Sequence, residues 1–260
     1  MTASGKSPSQ EHPLANILIN VLIPVLALSY LSKDPEIQQS LGKAVRPWHI
    51  GPVKALIVAL VFPIGYGAWH FITTRKGNFF SALGLVSVLL TGGLTIYLWN
   101  HDGTVKPNAA VLFGIKEASI PLILGIAVIG SHFTATPLLR VFLYTDSIFD
   151  IRRIENRVEE IGGGETYRTI LFRATWLFAT SFFISTVMNF GLALYFLGGL
   201  DHAATNAREL YNAQVAKLTG WSFAVIGIPI LAFLFFTLKR LMSRLGSLTG
   251  LKEEELLLPR

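Results

Sequence analysis

A chain of 260 residues that is 52% hydrophobic and 15% charged, with a mean hydropathy of +0.52, is too apolar for a soluble domain and reads as lipid-solvated. The absence of cysteine excludes a disulfide framework, a thiolate metal site and a thiol nucleophile. The net charge of +6 does not imply nucleic acid, because the basic residues gather at helix ends, where membrane orientation explains them better.

The N-terminal stretch MTASGKSPSQEHP lacks the basic, apolar and small-residue pattern of a cleaved signal, so residues 1–13 are expected to form a disordered cytoplasmic tail. Six apolar segments follow, at about 14–31, 51–73, 79–99, 108–131, 168–200 and 219–241, and each reaches or approaches the ~20 residues of a membrane crossing. The fifth is too long for one straight crossing; its embedded part is expected from Leu171 to Leu194, with Arg173 near an interface and Gly198-Gly199 closing it. The fold class is therefore all-α: a polytopic transmembrane bundle over 14–241 with a cytoplasmic loop at 132–167 and a cytoplasmic C-terminal tail at 242–260.

In the first span Pro24 has no N–H for the carbonyl of Asn20, and Asn16 lies one turn earlier. The bland reading of these Asn residues is interhelical hydrogen bonding. The second span presents Tyr66, Trp69 and His70 near the basic turn Arg75-Lys76-Gly77-Asn78, as an interfacial belt would. In the third, Ser81, Gly84, Ser87, Thr91 and Thr95 form a small, mildly polar stripe suited to close helix packing or to a hydroxyl-lined path; Gly92 and Gly93 are expected to add local flexibility.

The fourth span carries the sharpest signal, adjacent charges Lys116 and Glu117 in an otherwise apolar segment. A central charge costs ~2.5–3.5 kcal/mol on insertion scales. Adjacent residues point ~100° apart on a helix, so the two are expected to reach different partners. Pro121 withdraws a donor from the carbonyl of Glu117, which adds a polar group. Two readings stand: a structural kink with paired charges, or a site for an ion, a proton or a headgroup.

Within the large loop, DSIFDIRRIENRVEE places Ile148, Ile151, Ile154 or Val158 and Ile161 at helical spacing against a charged face. This amphipathic helix, ended by Gly162-Gly163-Gly164, lies either at the headgroup interface or on other cytoplasmic segments. In the fifth span Ser181, Ser185 and Asn189 form a second packing stripe. The terminal LKEEELLLPR is too short to fold alone.

Counting basic residues in the connections sets orientation. With the N-terminus inside, thirteen lie inside (Lys6, Arg75, Lys76, Arg140, Arg152, Arg153, Arg157, Arg168, Lys239, Arg240, Arg244, Lys252 and Arg260). Six lie outside (Lys33, Lys43, Arg46, Lys106, Arg208 and Lys217). The bias favours N-in and C-in. The histidines are scattered without metal spacing, and no GxSxG, Walker A, Rossmann or kinase motif occurs. No metal, no cofactor and no enzymatic activity are expected.

The stretch TGGLTIYL at Thr91 to Leu98, followed by NHDGTVKPN, resembles the bacterial intracellular septation protein A family through Gly92, Gly93, Leu94, Thr95, Asp102 and Lys106. PLLRVFL at Pro137 to Leu143 is similar to that family's segment after the fourth span. WLFATSFFISTVMNFGLALYF resembles its next helix through Trp176, Phe182, Phe183 and Asn189, and KLTG at Lys217 to Gly220 falls where its last span begins. The resemblance covers the C-terminal two-thirds in short pieces. The Arg/Glu-rich loop helix and Lys116-Glu117 with Pro121 depart from it, and with FPIGYG they look more like a sister group of septation-protein-like membrane proteins, loosely described as transporters.

The resemblance implies a non-enzymatic multi-pass protein of the inner membrane, concerned with septation or envelope maintenance, and carries over no catalytic residue. Its expected partners are membrane lipids, other envelope proteins or a second copy of itself, and no nucleic acid. Arg75, Lys76, Arg152 and Arg153 are the candidate headgroup contacts. The alternative is a small transporter or channel whose polar site draws on Lys116, Glu117, Asn20, Ser87, Thr91 and Asn189. A membrane enzyme acting on lipid is the third class.

Overall fold

The computed structural model describes residue 19 and residues 22–74, 79–134 and 136–258, with side chains at all of these except 70, 71, 73, 74, 79–85 and 88. Among the described residues the regular structure is helical, apart from two isolated β-bridges, Trp99 with Val105 and Phe149 with Leu257. In chain order the helices are α1 (Ile23–Leu26, continued by a π-turn Ala27–Leu31), α2 (Pro35–Ser40), α3 (Pro52–Thr74), α4 (Phe79–Leu98) and α5 (Ala109–Ser131). They continue with α6 (Leu138–Phe142), α7 (Ile151–Glu160), α8 (Gly164–Leu197), α9 (Ala207–Ser222, leading through a π-turn Phe223–Gly227 into α10, Ile228–Thr249) and α11 (Glu253–Leu256).

Four helical runs among the described residues are long and apolar enough to cross a membrane: Pro52–Trp69 within α3, all of α5, all of α8, and Ala207–Thr249. Their surfaces are apolar too. Ile57, Val61, Ile123, Ile126, Val187 and Phe235 are each more than half exposed, a pattern that suits hydrocarbon and not water. Pro63 and Pro121 sit inside α3 and α5, as membrane helices tolerate when neighbours satisfy the freed carbonyls. The π-turn Phe223–Gly227 ends two residues before Pro229, and a widened turn there relieves the clash of the proline ring with the carbonyl of Val225, four residues back.

Contacts divide the chain into two compact units: Met1–Phe113 with Leu192–Trp221, and Gly114–Gly191 with Ser222–Arg260. The core of unit 1 is built from Leu56 and Ala59, Leu98, Ala109 and Phe113, Ala193 and Leu197, and Tyr211 and Val215. Many of its buried residues are alanines, which lets backbones approach. Gly92 belongs to the same logic and not to flexibility: a Cβ there would stand 2.5 Å from Leu60 Cδ1 on α3. The loops of this unit are tied by polar groups of α9. Glu209 accepts from the Asp34 backbone N–H and from Gln38 Nε2 at 2.7 Å. Asn212 donates to Ser32 Oγ at 2.8 Å and to the Pro52 carbonyl at 3.1 Å.

The last long helix therefore starts at Ala207, a full three turns before the expected 219. Its polar residues Arg208, Glu209 and Asn212 hide it from a hydropathy window, yet each is partnered by a loop distant in sequence: Arg208 covers Trp99 at 5.5 Å and donates to the Asn100 carbonyl.

Unit 2 packs Val128, Leu139, Tyr144, Phe149, Ile154, Val158, Phe178, Leu241, Leu245 and Leu256 into one core. The amphipathic α7 is thus settled on protein. Ile151, Ile154 and Val158 are buried on it, each contributing ~1.5–3 kcal/mol of apolar burial. The C-terminal segment holds it from the other side: Asp150 N–H donates to the Leu256 carbonyl and Leu258 N–H to the Ile148 carbonyl, both at 3.0 Å.

Candidate functional site

The charged pair of α5 is a contact between neighbours. Lys116 Nζ lies 2.7 Å from Glu117 Oε1, with side chains 8% and 25% exposed. The two charges also reach each other, because the four-carbon Lys stem spans the ~100° offset. Ser119 Oγ donates to the Lys116 carbonyl at 2.7 Å, so the polar segment is knit within one turn. A charge pair held this close neutralises itself in a low-dielectric setting at a fraction of the cost of two separate charges.

The described candidates among the remaining polar residues bond within their own helices. Asn189 donates to the Ser185 carbonyl at 2.8 Å and to Ser185 Oγ at 3.1 Å, on its own helix. Ser181 Oγ likewise donates to the Phe178 carbonyl at 2.6 Å. On α4, Thr91 Oγ1 donates to the Ser87 carbonyl at 2.8 Å. Asn20, Arg75 and Lys76 lie outside the described residues, as do Asn16 and the side chains of His70 and Ser81.

Of the loop arginines, Arg152 is exposed, whereas Arg153 pairs with Glu255 at 2.7 Å. Arg157 donates to the Thr249 carbonyl at 3.1 Å and meets Glu160 at 2.8 Å. A buried-to-surface network completes the unit: Arg140 Nη2 reaches Glu155 Oε1 at 2.5 Å, and the hydroxyls of Tyr144 and Tyr167 meet at 3.2 Å. Burial pushes the Tyr144 phenol well above its ordinary range, followed by the nearby Tyr167, so it stays neutral and serves as a hydrogen-bonding wedge. In unit 1, the Asp102 carboxyl is held below its usual range by the hydroxyl and backbone N–H of Thr104.

Sequence reasoning passed over one feature. A cavity of about 310 Å³ opens between α8 and α10, with Arg173, Arg240 and Arg244 on its walls. The signal was the i, i+4 spacing of Arg240 and Arg244, which places both on one helix face; counted as topology markers, they lost their individual meaning. Among the described residues there is no group of His, Asp and Glu able to hold a metal ion.

Fold and site together define a membrane protein that is helical throughout its described elements, with four helical runs long and apolar enough to cross a bilayer. Compared with protein-family models, with curated proteins and with solved structures, the chain matches none of them.

Proposed function

We propose that this chain is a non-enzymatic, multi-pass protein of a bacterial inner membrane, with six spans and both termini inside, and that it serves septation or maintenance of the cell envelope. The observation that carries the choice of a scaffold over a conduit is the closed Lys116–Glu117 pair at 2.7 Å. A conducting or substrate site needs charges presented to water or to a ligand. The cavity between α8 and α10 includes neither residue. The resemblance of TGGLTIYL and its neighbouring segments to septation protein A relatives supports the envelope role.

The six-span, N-in arrangement draws support from the basic residues of the connections, thirteen of which it places inside and six outside. Other envelope proteins, or a second copy of the chain, are the partners proposed for such a scaffold.

The test is reconstitution in liposomes, with proton and monovalent-cation flux measured for wild type and for Lys116→Met/Glu117→Gln. The scaffold reading expects no flux from either protein and an intact fold in the neutral variant. Flux in wild type that vanishes in the variant would make the chain a transporter with its site in α5. The natural absence of cysteine allows the topology to be mapped directly: single cysteines at His101 and Asp201 should react from outside, and one at Glu253 from inside.

A further inference from the structure

The groove between α8 and α10 carries a charge imbalance that the membrane can correct. Arg173 on α8 and Arg240 and Arg244 on α10 line it, and none of its lining residues is acidic. No carboxylate pairs with these three guanidiniums among the described residues, although Arg140, Arg153 and Arg157 of the same unit all have one. Three like charges around about 310 Å³ repel one another unless an anion lies between them. Their forks are suited to a phosphate, which accepts several charge-assisted hydrogen bonds at once.

The rest of the lining selects the kind of phosphate. Leu177 and Leu241 give the groove an apolar floor, which a small hydrated anion would leave unused. The position on the helices agrees. Along α10 the run Ile228–Leu238 has no charged residue, and Lys239, Arg240 and Arg244 follow it. The groove thus straddles the level where the helix passes from hydrocarbon to headgroup chemistry. The hydroxyls of Thr169, Thr237 and Ser247 donate to carbonyls of their own helices, which leaves the guanidiniums and the Thr166 hydroxyl as the donors of the lining.

We infer that this groove is a binding site for one anionic phospholipid, its phosphate held by Arg173, Arg240 and Arg244 and its first acyl carbons lying against Leu177 and Leu241. A volume at the lower end of ligand pockets, ~300–1,000 Å³, fits a phosphodiester with its glycerol rather than a whole lipid. This inference needs only membrane embedding and stands apart from the septation reading.

The experiment measures binding of dioctanoyl phosphatidylglycerol to the full-length protein in a neutral detergent, beside dioctanoyl phosphatidylcholine and inorganic phosphate. Saturable binding of the anionic lipid is expected, with both comparison ligands weaker by about tenfold or more. Arg240→Gln/Arg244→Gln should weaken it by a similar factor, whereas Lys239→Gln/Arg168→Gln, equal in charge change, exposed and outside the groove lining, should not. Leu177→Trp, which fills the floor and keeps every charge, should also abolish binding, and it serves if the arginine variant fails to fold. Equal binding of the choline lipid, equal loss in the two charge variants, or no loss in Leu177→Trp would overturn the assignment. Inorganic phosphate binding as well as the lipid would make this a site for a soluble phosphate compound instead.

Discussion

Arg153 on α7 meets Glu255 on α11 at 2.7 Å, joining two segments 102 residues apart in sequence. The ion pair is half exposed, so its own worth is small. The apolar face beneath it decides whether α7 stays docked, since Ile154 is 0% exposed. Ile154→Ala is therefore expected to cost ~2–5 kcal/mol of local stability, and Arg153→Ala less than about 1 kcal/mol. Limited proteolysis of the 143–163 segment checks this: rapid cleavage should appear in Ile154→Ala alone. Equal cleavage in both would show that the charges, not the core, hold the helix.

The same contact sets an acid response. The Glu255 carboxyl is held below its ordinary range, first by the backbone N–H of Lys252, which it accepts at 2.9 Å, and then by the charges of Arg153 and Lys252. Its folded value lies below its unfolded one, so the unfolded segment binds the proton more readily. The contribution is complete above the unfolded value of ~4.3 and is lost as pH falls through the folded one. A fluorophore on a cysteine introduced at the exposed Leu258 should show rising mobility between about pH 5 and about pH 3. Glu255→Gln should be mobile throughout with little pH dependence; a wild-type transition retained in that variant would assign the response to another carboxylate.

The legible parts of this chain are those where one side of the energy balance dominates. Helices α3, α5 and α8 follow the apolar runs closely because a crossing of hydrocarbon leaves no other backbone solution. The amphipathic spacing of Ile151, Ile154 and Val158 also reads correctly as a helix face, but periodicity says nothing about what covers that face. Its cover, Leu241, Leu245 and Leu256, lies about ninety residues on. The start of α9 is illegible for a related reason: Arg208, Glu209 and Asn212 look like loop residues until their distant partners are known. For Lys116 and Glu117 the chemistry was visible, while their mutual contact was not, because side-chain reach spans the helical offset.

Asn212 tests the polar tie of unit 1. It is 1% exposed, and its amide supplies both Ser32 Oγ and the Pro52 carbonyl. Asn212→Leu leaves the Pro52 carbonyl without that donor, at an expected ~1–3 kcal/mol. Thr219→Ala, whose hydroxyl only returns to the Val215 carbonyl of its own helix, is expected to stay within about 0.5 kcal/mol of wild type. Thermal unfolding in detergent reads the difference, and a drop of equal size in both would remove the special role of Asn212.

Helix proximity in unit 2 is tested at Gly125. A Cβ there would lie 2.9 Å from Cε1 of Phe183 on α8, against a rigid ring that cannot fold away as a Leu methyl can. Gly130, on the same helix five residues on, has open space around it. Alanine improves helix propensity at either site by ~0.8–1 kcal/mol, so packing alone separates them. Gly130→Ala should raise the thermal midpoint slightly, while Gly125→Ala should lower it through overpacking of ~1–3 kcal/mol. Adding Phe183→Leu to Gly125→Ala opens room for the new methyl and should restore part of the loss. If the double variant is as unstable as the sum of its parts, the two side chains do not meet and the proposed clash is not the cause.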